Sequence, residues 1–223
     1  MRQAEGKGAA NGAGHELDEL TAMVKEAVRE VLSSCSRDPC VKLDGSWVTD
    51  ADTRIQALLQ ERLARSWPGI PMLGEEMTVE HQQRLLGSAG GHFWCVDPLD
   101  GTSNFVLGIP FYATSIALVE RGRPRLAVVF DPVRGEVFSA ERGRGAFLDG
   151  RPLVPRPHPP GLERSVVVVD FKRLDADLSV RLVSSSPARS LRNFGACALE
   201  WCWLAAGRVH LYLHGGMKLW DLA

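Results

Sequence analysis

The stretch from Trp94 to Phe105, WCVDPLDGTSNF, constrains the fold of this chain more than any other. Its apolar start predicts a short buried strand that ends by presenting the carboxylates of Asp97 and Asp100. Pro98 fixes its own φ and disfavours helix at the residue before it, so the acids are expected on a stiff turn. Two carboxylates this close repel each other unless a cation lies between them, and Mg²⁺ prefers oxygen ligands of this kind.

The residues that follow the two acids are suited to a phosphate group. Gly101 and Thr102 stand at the start of a predicted helix, where backbone N–H groups favour anions. An Asp-rich surface turn followed by a helix N-cap would produce part of the same pattern. The run nevertheless continues to the apolar Phe105, and its length favours a combined metal and phosphate site.

From Asp97 to Phe105 the chain matches the signature D-P-[ILV]-D-G-[ST]-x-x-F, and so it resembles the inositol monophosphatase family of metal-dependent phosphatases. That superfamily also holds the fructose bisphosphatases and the 3′-phosphonucleotide phosphatases. The resemblance, which covers roughly residues 16–223, implies an α/β (α+β layered) fold, an αβαβα sandwich of the inositol monophosphatase/fructose bisphosphatase type. Because members of the family normally continue past the position of Ala223, it also implies a C-terminally truncated version of this sandwich.

Further motifs of the family supply the remaining metal ligands in the expected order. The resemblance implies that Glu75 of a G-E-E motif, Asp97 and the Leu99 carbonyl hold one Mg²⁺ ion. It implies that Asp97, Asp100 and Asp221 of a W-D motif hold a second ion. Two or three Mg²⁺ ions are therefore expected, and the reaction implied is the hydrolysis of a small phosphate monoester.

Catalytic and substrate residues follow from the same resemblance. A V-T-x-x-D motif ends at Asp52, which is expected to hydrogen-bond Thr102 so that the hydroxyl orients the attacking water, with Glu75 as the third catalytic residue. A helix-capping role is the alternative for Asp52. Lys42 is expected nearby as a cation. The residues predicted to contact the substrate or its phosphate are Gly101, Thr102, Cys197 and His214.

The sequence does not determine which phosphate monoester is the substrate. Family members that act on inositol phosphates usually have an acidic residue several positions before the W-D motif, and His214 stands near that place. Because histidine is not an acceptor-only group, histidinol phosphate, sugar phosphates and 3′-phosphonucleotides are alternatives to inositol monophosphate. Asp170, Lys172 and Arg173 follow a predicted strand and could also face the substrate. An alternative function of another class is that of an inactive, truncated relative that binds metal or a protein partner.

The hydrophobic pattern predicts how the chain is organised around these motifs. A flexible Gly/Ala-rich tail is expected over residues 1–15, followed by an amphipathic helix to about Ser34. An N-terminal α+β subdomain with an antiparallel meander is expected over residues 16–155. A β-branched run and alternating helices predict an α/β subdomain over residues 156–223.

Composition excludes several classes of function. The 223 residues include 26 basic and 27 acidic side chains, a net charge of −1 that argues against nucleic-acid binding. The five cysteines form no C-x-x-C pair, which favours reduced thiols over a zinc site. No apolar run reaches the roughly 20 residues of a membrane span, and no signal segment is recognisable, so we expect a cytoplasmic protein. The resemblance adds a possible homodimer.

Overall fold

The computed structural model describes residues 8–43, 45–88, 90–154, 156–185 and 187–223. Two long helices, α1 (Gly8–Leu32) and α2 (Asp50–Ser66), flank an antiparallel hairpin of β1 (Cys40–Val41) and β2 (Trp47–Val48). The prediction of a flexible tail was wrong for residues 8–15, which extend α1. Extending an established helix needs no new nucleation, and the alanines at positions 9, 10 and 13 partly offset the low helix propensity of the three glycines in this stretch. The predicted tail over residues 1–7 lies outside the described residues.

A seven-stranded sheet forms the centre of the molecule, in the order β3-β4-β5-β6-β7-β8-β9. Its strands are β3 (Met72–Gly74), β4 (His92–Asp100), β5 (Ala113–Glu120), β6 (Arg123–Asp131), β7 (Glu136–Glu141), β8 (Gly145–Leu148) and β9 (Arg151–Pro152). Strands β3 and β4 are parallel, with α3 (Val79–Ser88) between them. From β4 onward the pairs are antiparallel, as predicted for a meander. The short helix α4 (Thr102–Leu107) joins β4 to β5.

The helices α1 and α2 cover one face of this sheet. Their apolar side chains recur every three or four residues, and Leu20, Ile55 and Leu59 are fully buried against Trp94 and Phe130 of the sheet. This is the largest cluster of buried apolar residues in the described part of the chain, so it fixes the position of β4 and of the acids that β4 carries.

A smaller parallel sheet lies on the other side. It consists of β10 (Val166–Val169), β11 (Ser190–Arg192) and β12 (Leu211–Leu213), in the order β11-β10-β12. The associated helices are α5 (Ala176–Ser185), α6 (Cys197–Ala205) and α7 (Leu219–Leu222).

Helix α6 lies between the two sheets. Leu199 packs with Phe111 and Phe138 of the large-sheet side, and Trp201 contacts Tyr212 of β12 with ring centroids 5.0 Å apart. The layers therefore alternate between helix and sheet. Pro155, at which the predicted subdomain boundary falls, lies outside the described residues, and the boundary stays a prediction. Within the described ranges, no helix is both long and apolar enough to span a membrane.

Candidate active site

The register of β3 and β4 brings Glu75 next to the first aspartate. Gly74 pairs with Val96, and the Glu75 N–H donates to the Val96 carbonyl at 3.1 Å. Sequence reasoning placed the two aspartates on a turn after a short strand, and that was wrong: β4 continues through Asp97 to Asp100.

The sheet pairing is irregular between the two aspartates. Asp97 pairs with Ser115 and Asp100 with Ala113, so β4 carries one extra residue in this interval. Pro98 lies in it, and proline has no N–H to offer a sheet ladder. Such a bulge changes the direction of the side chains that follow it.

Asp97 and Asp100 are buried, and the charges of neighbouring acids contribute to raising their pKa values. Asp97 is 3% exposed and Asp100 is 8% exposed. Burial is the largest cause that raises the pKa of Asp97 well above its ordinary value, and the charges of Glu75, Asp100 and Asp221 add to it. Burial and the charge of Asp221 raise the pKa of Asp100 to about 8, although backbone N–H groups act in the opposite direction.

Those N–H groups come from the start of α6. The Cys197 N–H donates to Asp100 Oδ1 at 3.0 Å, and the Ala198 and Leu199 N–H groups donate to Oδ2 at 2.8 and 3.4 Å. The otherwise unpaired donors of a helix N-terminus thus partly offset the burial of this carboxylate. Sequence reasoning missed this contact, because no local pattern connects residues 97 positions apart.

The predicted role of Cys197 as a substrate or phosphate contact stays a prediction, and the structure gives this residue a second role. Its N–H is used by Asp100, and burial is the main cause that raises the pKa of its thiol to about 12. A thiol of that kind is not ionised at neutral pH and is not a nucleophile. Cys197 contributes to holding Asp100 in place.

Asp52 makes both of the contacts that the sequence left open. Its Oδ2 accepts bonds from the Thr49 N–H at 2.7 Å and the Thr49 hydroxyl at 2.6 Å, which is a capping box at the start of α2. Its Oδ1 lies 3.0 Å from Thr102 Oγ1, as predicted. The same Thr102 oxygen lies 3.0 Å from the Leu99 carbonyl, and the Leu99 N–H donates to Asp97 Oδ1 at 3.1 Å.

Gly101 is required by the geometry at the start of α4. Its φ of 87° lies in the left-handed region, and an added Cβ would stand 3.0 Å from the Ala196 Cβ and 3.1 Å from the Phe111 carbonyl oxygen. Three residues later, Asn104 donates from Nδ2 to the carbonyls of Phe111 and Phe194, each at 2.7 Å. The signature segment is thus fastened to the loop that leads into α6.

Lys42 is close to the metal-ligand candidates, as expected. Its Nζ lies 3.1 Å from Glu75 Oε1 and 2.6 Å from Glu76 Oε1. Burial is the main cause that raises the pKa of Glu76, although the ammonium acts against it. The loop is fixed from the other side by Gln82, whose Nε2 donates to the carbonyls of Gly74 and Glu75 at 3.1 and 3.2 Å.

Asp221 completes the group of acids from the short helix α7. The Lys218 N–H donates to its Oδ2 at 2.6 Å. Burial raises its pKa, while that hydrogen bond and the charge of Arg173 oppose the shift. His214 itself faces Asp170, with Nε2 and Oδ2 3.3 Å apart.

The arrangement is a cluster of acids that act on one another electrostatically. Among the described residues, no three His, Cys, Asp or Glu side chains are already spaced as ligands of one metal ion. A cavity of about 400 Å³ adjoins the cluster at Asp221, and its walls are mostly apolar, including Ala127, Phe138 and Trp201.

Comparison with known proteins gives a consistent result. The chain matches the sequence profile of the inositol monophosphatase family over residues 8–223. It is 35% identical over 181 residues to the Nus factor SuhB of Xylella fastidiosa, covering 79% of this chain and 63% of that protein. It is 34% identical over 189 residues to the inositol-1-monophosphatase of Rhizobium meliloti, covering 82% of this chain and 68% of that protein.

A solved structure has the same fold. It is an IMPase/NADP phosphatase in complex with Mg²⁺ and phosphate, 25% identical to this chain, with a TM-score of 0.78 over 93% of this chain and 78% of that one. The predicted α/β sandwich is thereby confirmed. With its profile matched from the first described helix to the last residue, the chain belongs to the inositol monophosphatase family.

Proposed function

We propose that this chain is a Mg²⁺-dependent phosphatase that hydrolyses a small phosphate monoester by means of an activated water. The observation that carries the proposal is the cluster of acids around the buried Asp97 and Asp100, in which the charges of Glu75, Asp100 and Asp221 all raise the pKa of Asp97. Placing like charges together in a buried site is costly unless a cation compensates them, and among the described residues Lys42 forms its ion pairs with Glu75 and Glu76.

The side chains present fit Mg²⁺ in their chemistry, since all of them offer oxygen. The groups that would hold two or three ions are Glu75, Asp97, the Leu99 carbonyl, Asp100 and Asp221. Because no three described side chains are already spaced as ligands of one ion, binding requires side-chain rotations. Bound Mg²⁺ would neutralise phosphate charge, acidify water and stabilise the leaving alkoxide.

Thr102 and Asp52 would handle the proton of the attacking water. Asp52 Oδ2 is held by the two bonds from Thr49, so its Oδ1 is fixed toward the Thr102 hydroxyl. A hydroxyl that donates to Asp52 presents its lone pairs to a water and so orients it. Asp52 provides the negative charge that favours loss of the water proton.

The substrate we favour is inositol monophosphate or a similar monoester, in line with the name of the Rhizobium meliloti relative. Histidinol phosphate, sugar phosphates and 3′-phosphonucleotides are the alternatives. The chain spans 63% of the length of the Xylella relative, so activity, substrate and partners are all inferences for this chain. A homodimer and a cytoplasmic location stay predictions.

The test is phosphate release from a panel of monoesters, with and without Mg²⁺. We expect Mg²⁺-dependent turnover that Asp97→Asn reduces at least ~100-fold, because this change removes the ligand expected to be shared by two ions. The control is Asp177→Asn on the exposed α5, which leaves turnover unchanged. Near-normal turnover in Asp97→Asn would refute the assignment.

The name of the Xylella relative, Nus factor SuhB, favours a second candidate of another class. On this reading the chain binds metal or a protein partner without hydrolysing anything. Calorimetry with Mg²⁺, performed beside the release assay, separates the two functions. Mg²⁺ binding without release of phosphate from any monoester supports the binding protein.

A further inference from the structure

The carboxyl edge of the three-stranded sheet carries polar groups that the proposed reaction does not use. Asp170 directly follows β10 and His214 directly follows β12, and these strands are parallel with Val169 opposite Leu213. The third strand, β11, leads into α6, whose first N–H groups hold Asp100. Ligands bind at the carboxyl ends of parallel strands, so this edge is suited to the part of a substrate that lies beyond its phosphate.

The side chains of Asp170 and His214 differ in their exposure to solvent. The His214 side chain is 7% exposed and that of Asp170 is 22% exposed. The Gly216 N–H donates to His214 Nδ1 at 3.2 Å, so this nitrogen acts as an acceptor. Nε2 lies 3.3 Å from Asp170 Oδ2. Both ring nitrogens therefore face polar groups of the protein, and His214 is the less exposed of the two side chains.

The Asp170 carboxylate, by contrast, can accept further hydrogen bonds. Its Oδ1 accepts the Lys172 N–H at 3.0 Å, and its Oδ2 faces His214. An ionised carboxylate has about four acceptor sites, so about two stay available. Within the described ranges, no lysine or arginine forms an ion pair with Asp170. A half-buried carboxylate that is held by a backbone N–H and faces an imidazole is suited to accept hydrogen bonds from hydroxyl groups.

We propose that Asp170 is the residue that recognises the alcohol part of the substrate, and that His214 is a positioning residue that holds Asp170 in place. This inference rests on the proposed phosphatase function and narrows its substrate class to phosphate monoesters of polyols. It reassigns the predicted substrate contact from His214 to its neighbour across the sheet. His214 acts only through Asp170.

The experiment is calorimetry of the full chain with Mg²⁺ and two hydrolysis-resistant probes. Inositol monophosphonate carries the hydroxyl groups, whereas methylphosphonate has none. We expect Asp170→Ala to weaken inositol monophosphonate binding by about 10- to 100-fold, the range of a lost hydrogen bond to a charged group, with methylphosphonate binding unchanged. Asp177→Ala on the exposed α5 is the matched control and should change neither affinity.

The role of His214 is tested with a conservative rescue. His214→Ala should give the same selective loss, and His214→Gln should recover most of the affinity, because the amide can still donate to Asp170. If His214 had a purely structural role, His214→Ala would weaken the binding of both probes, and His214→Gln would not restore the binding of the inositol probe selectively.

The remaining outcomes separate this inference from the proposed function. If the unmodified chain with Mg²⁺ binds neither phosphonate, the phosphatase proposal fails and this one fails with it. If methylphosphonate binds but the inositol probe binds no more tightly, only the recognition by Asp170 is overturned. Stronger, Asp170-dependent binding of aminoethylphosphonate than of the inositol probe would overturn the polyol class in favour of an amino alcohol.

Discussion

The raised pKa of Asp100 predicts how the stability of the folded chain depends on pH. Its ordinary value is 3.8, and in the folded chain burial and the charge of Asp221 raise it to about 8. The folded state therefore holds a proton at pH values where the unfolded chain has lost it. The stabilising contribution is complete below the unfolded pKa and is lost as the pH rises through the folded pKa.

The size of the effect follows from the number of protons bound. Between the two pKa values the folded chain binds about one proton more than the unfolded chain at this site. The free energy of unfolding then falls by about 1.4 kcal/mol for each pH unit, or about 3 kcal/mol from about pH 5 to about pH 7. Asp97, which is also buried with a raised pKa, contributes in the same direction.

Urea denaturation of the metal-free chain at several pH values in this window measures the slope. Asp100→Asn has no titratable group at this position and should reduce the slope by about 1.4 kcal/mol per pH unit. Asp177→Asn, on the exposed α5, should keep the full slope. Mg²⁺ should stabilise the unmodified chain more at the higher pH, because metal ligands must be deprotonated. An unchanged slope in Asp100→Asn would refute the reasoning.

Two further predictions concern the signature segment. In a phosphate-release assay, Thr102→Val should lower turnover by roughly 100-fold, whereas Thr102→Ser keeps the hydroxyl and should keep most of the rate. Equal rates in the two variants would contradict the role of the hydroxyl. Gly101→Ala should cost about 1–2 kcal/mol for its left-handed φ and about 1–3 kcal/mol more for close contacts, measured by urea unfolding. Gly143 has a φ of 85° with no atom within 4 Å of an added Cβ, so Gly143→Ala should show only the first of these costs. Equal losses in the two glycine variants would show that the contacts at Gly101 do not matter.

Much of the fold could be predicted because its signals are local. The hydrophobic periodicity of residues 16–32 predicts α1, and alternating runs separated by glycine turns predict the meander from β5 to β8. The end of β4 could not be predicted in the same way. Pro98 and two acids indicate a turn, but pairing with β5 keeps the backbone extended up to Asp100. Tertiary pairing overrides the local preference there.

In the candidate site, too, some features could be predicted from local sequence signals and others depend on tertiary contacts. Asp52 and Thr102 were identified together, and their hydroxyl–carboxylate contact is present at 3.0 Å. The support of Asp100 by α6 and the pairing of His214 with Asp170 were not identified, because both join segments that are distant in sequence. Residue types mark where chemistry is possible, whereas the partner of each group depends on how the two sheets pack.

The double use of Asp52 affects how its variants should be interpreted. One carboxylate oxygen caps α2 through Thr49 and the other meets Thr102. Any replacement would therefore loosen a helix end and disturb the proposed water-activating pair at once. A slow Asp52 variant cannot by itself separate chemistry from partial unfolding, so its rate constants need to be corrected for the folded fraction at the assay temperature.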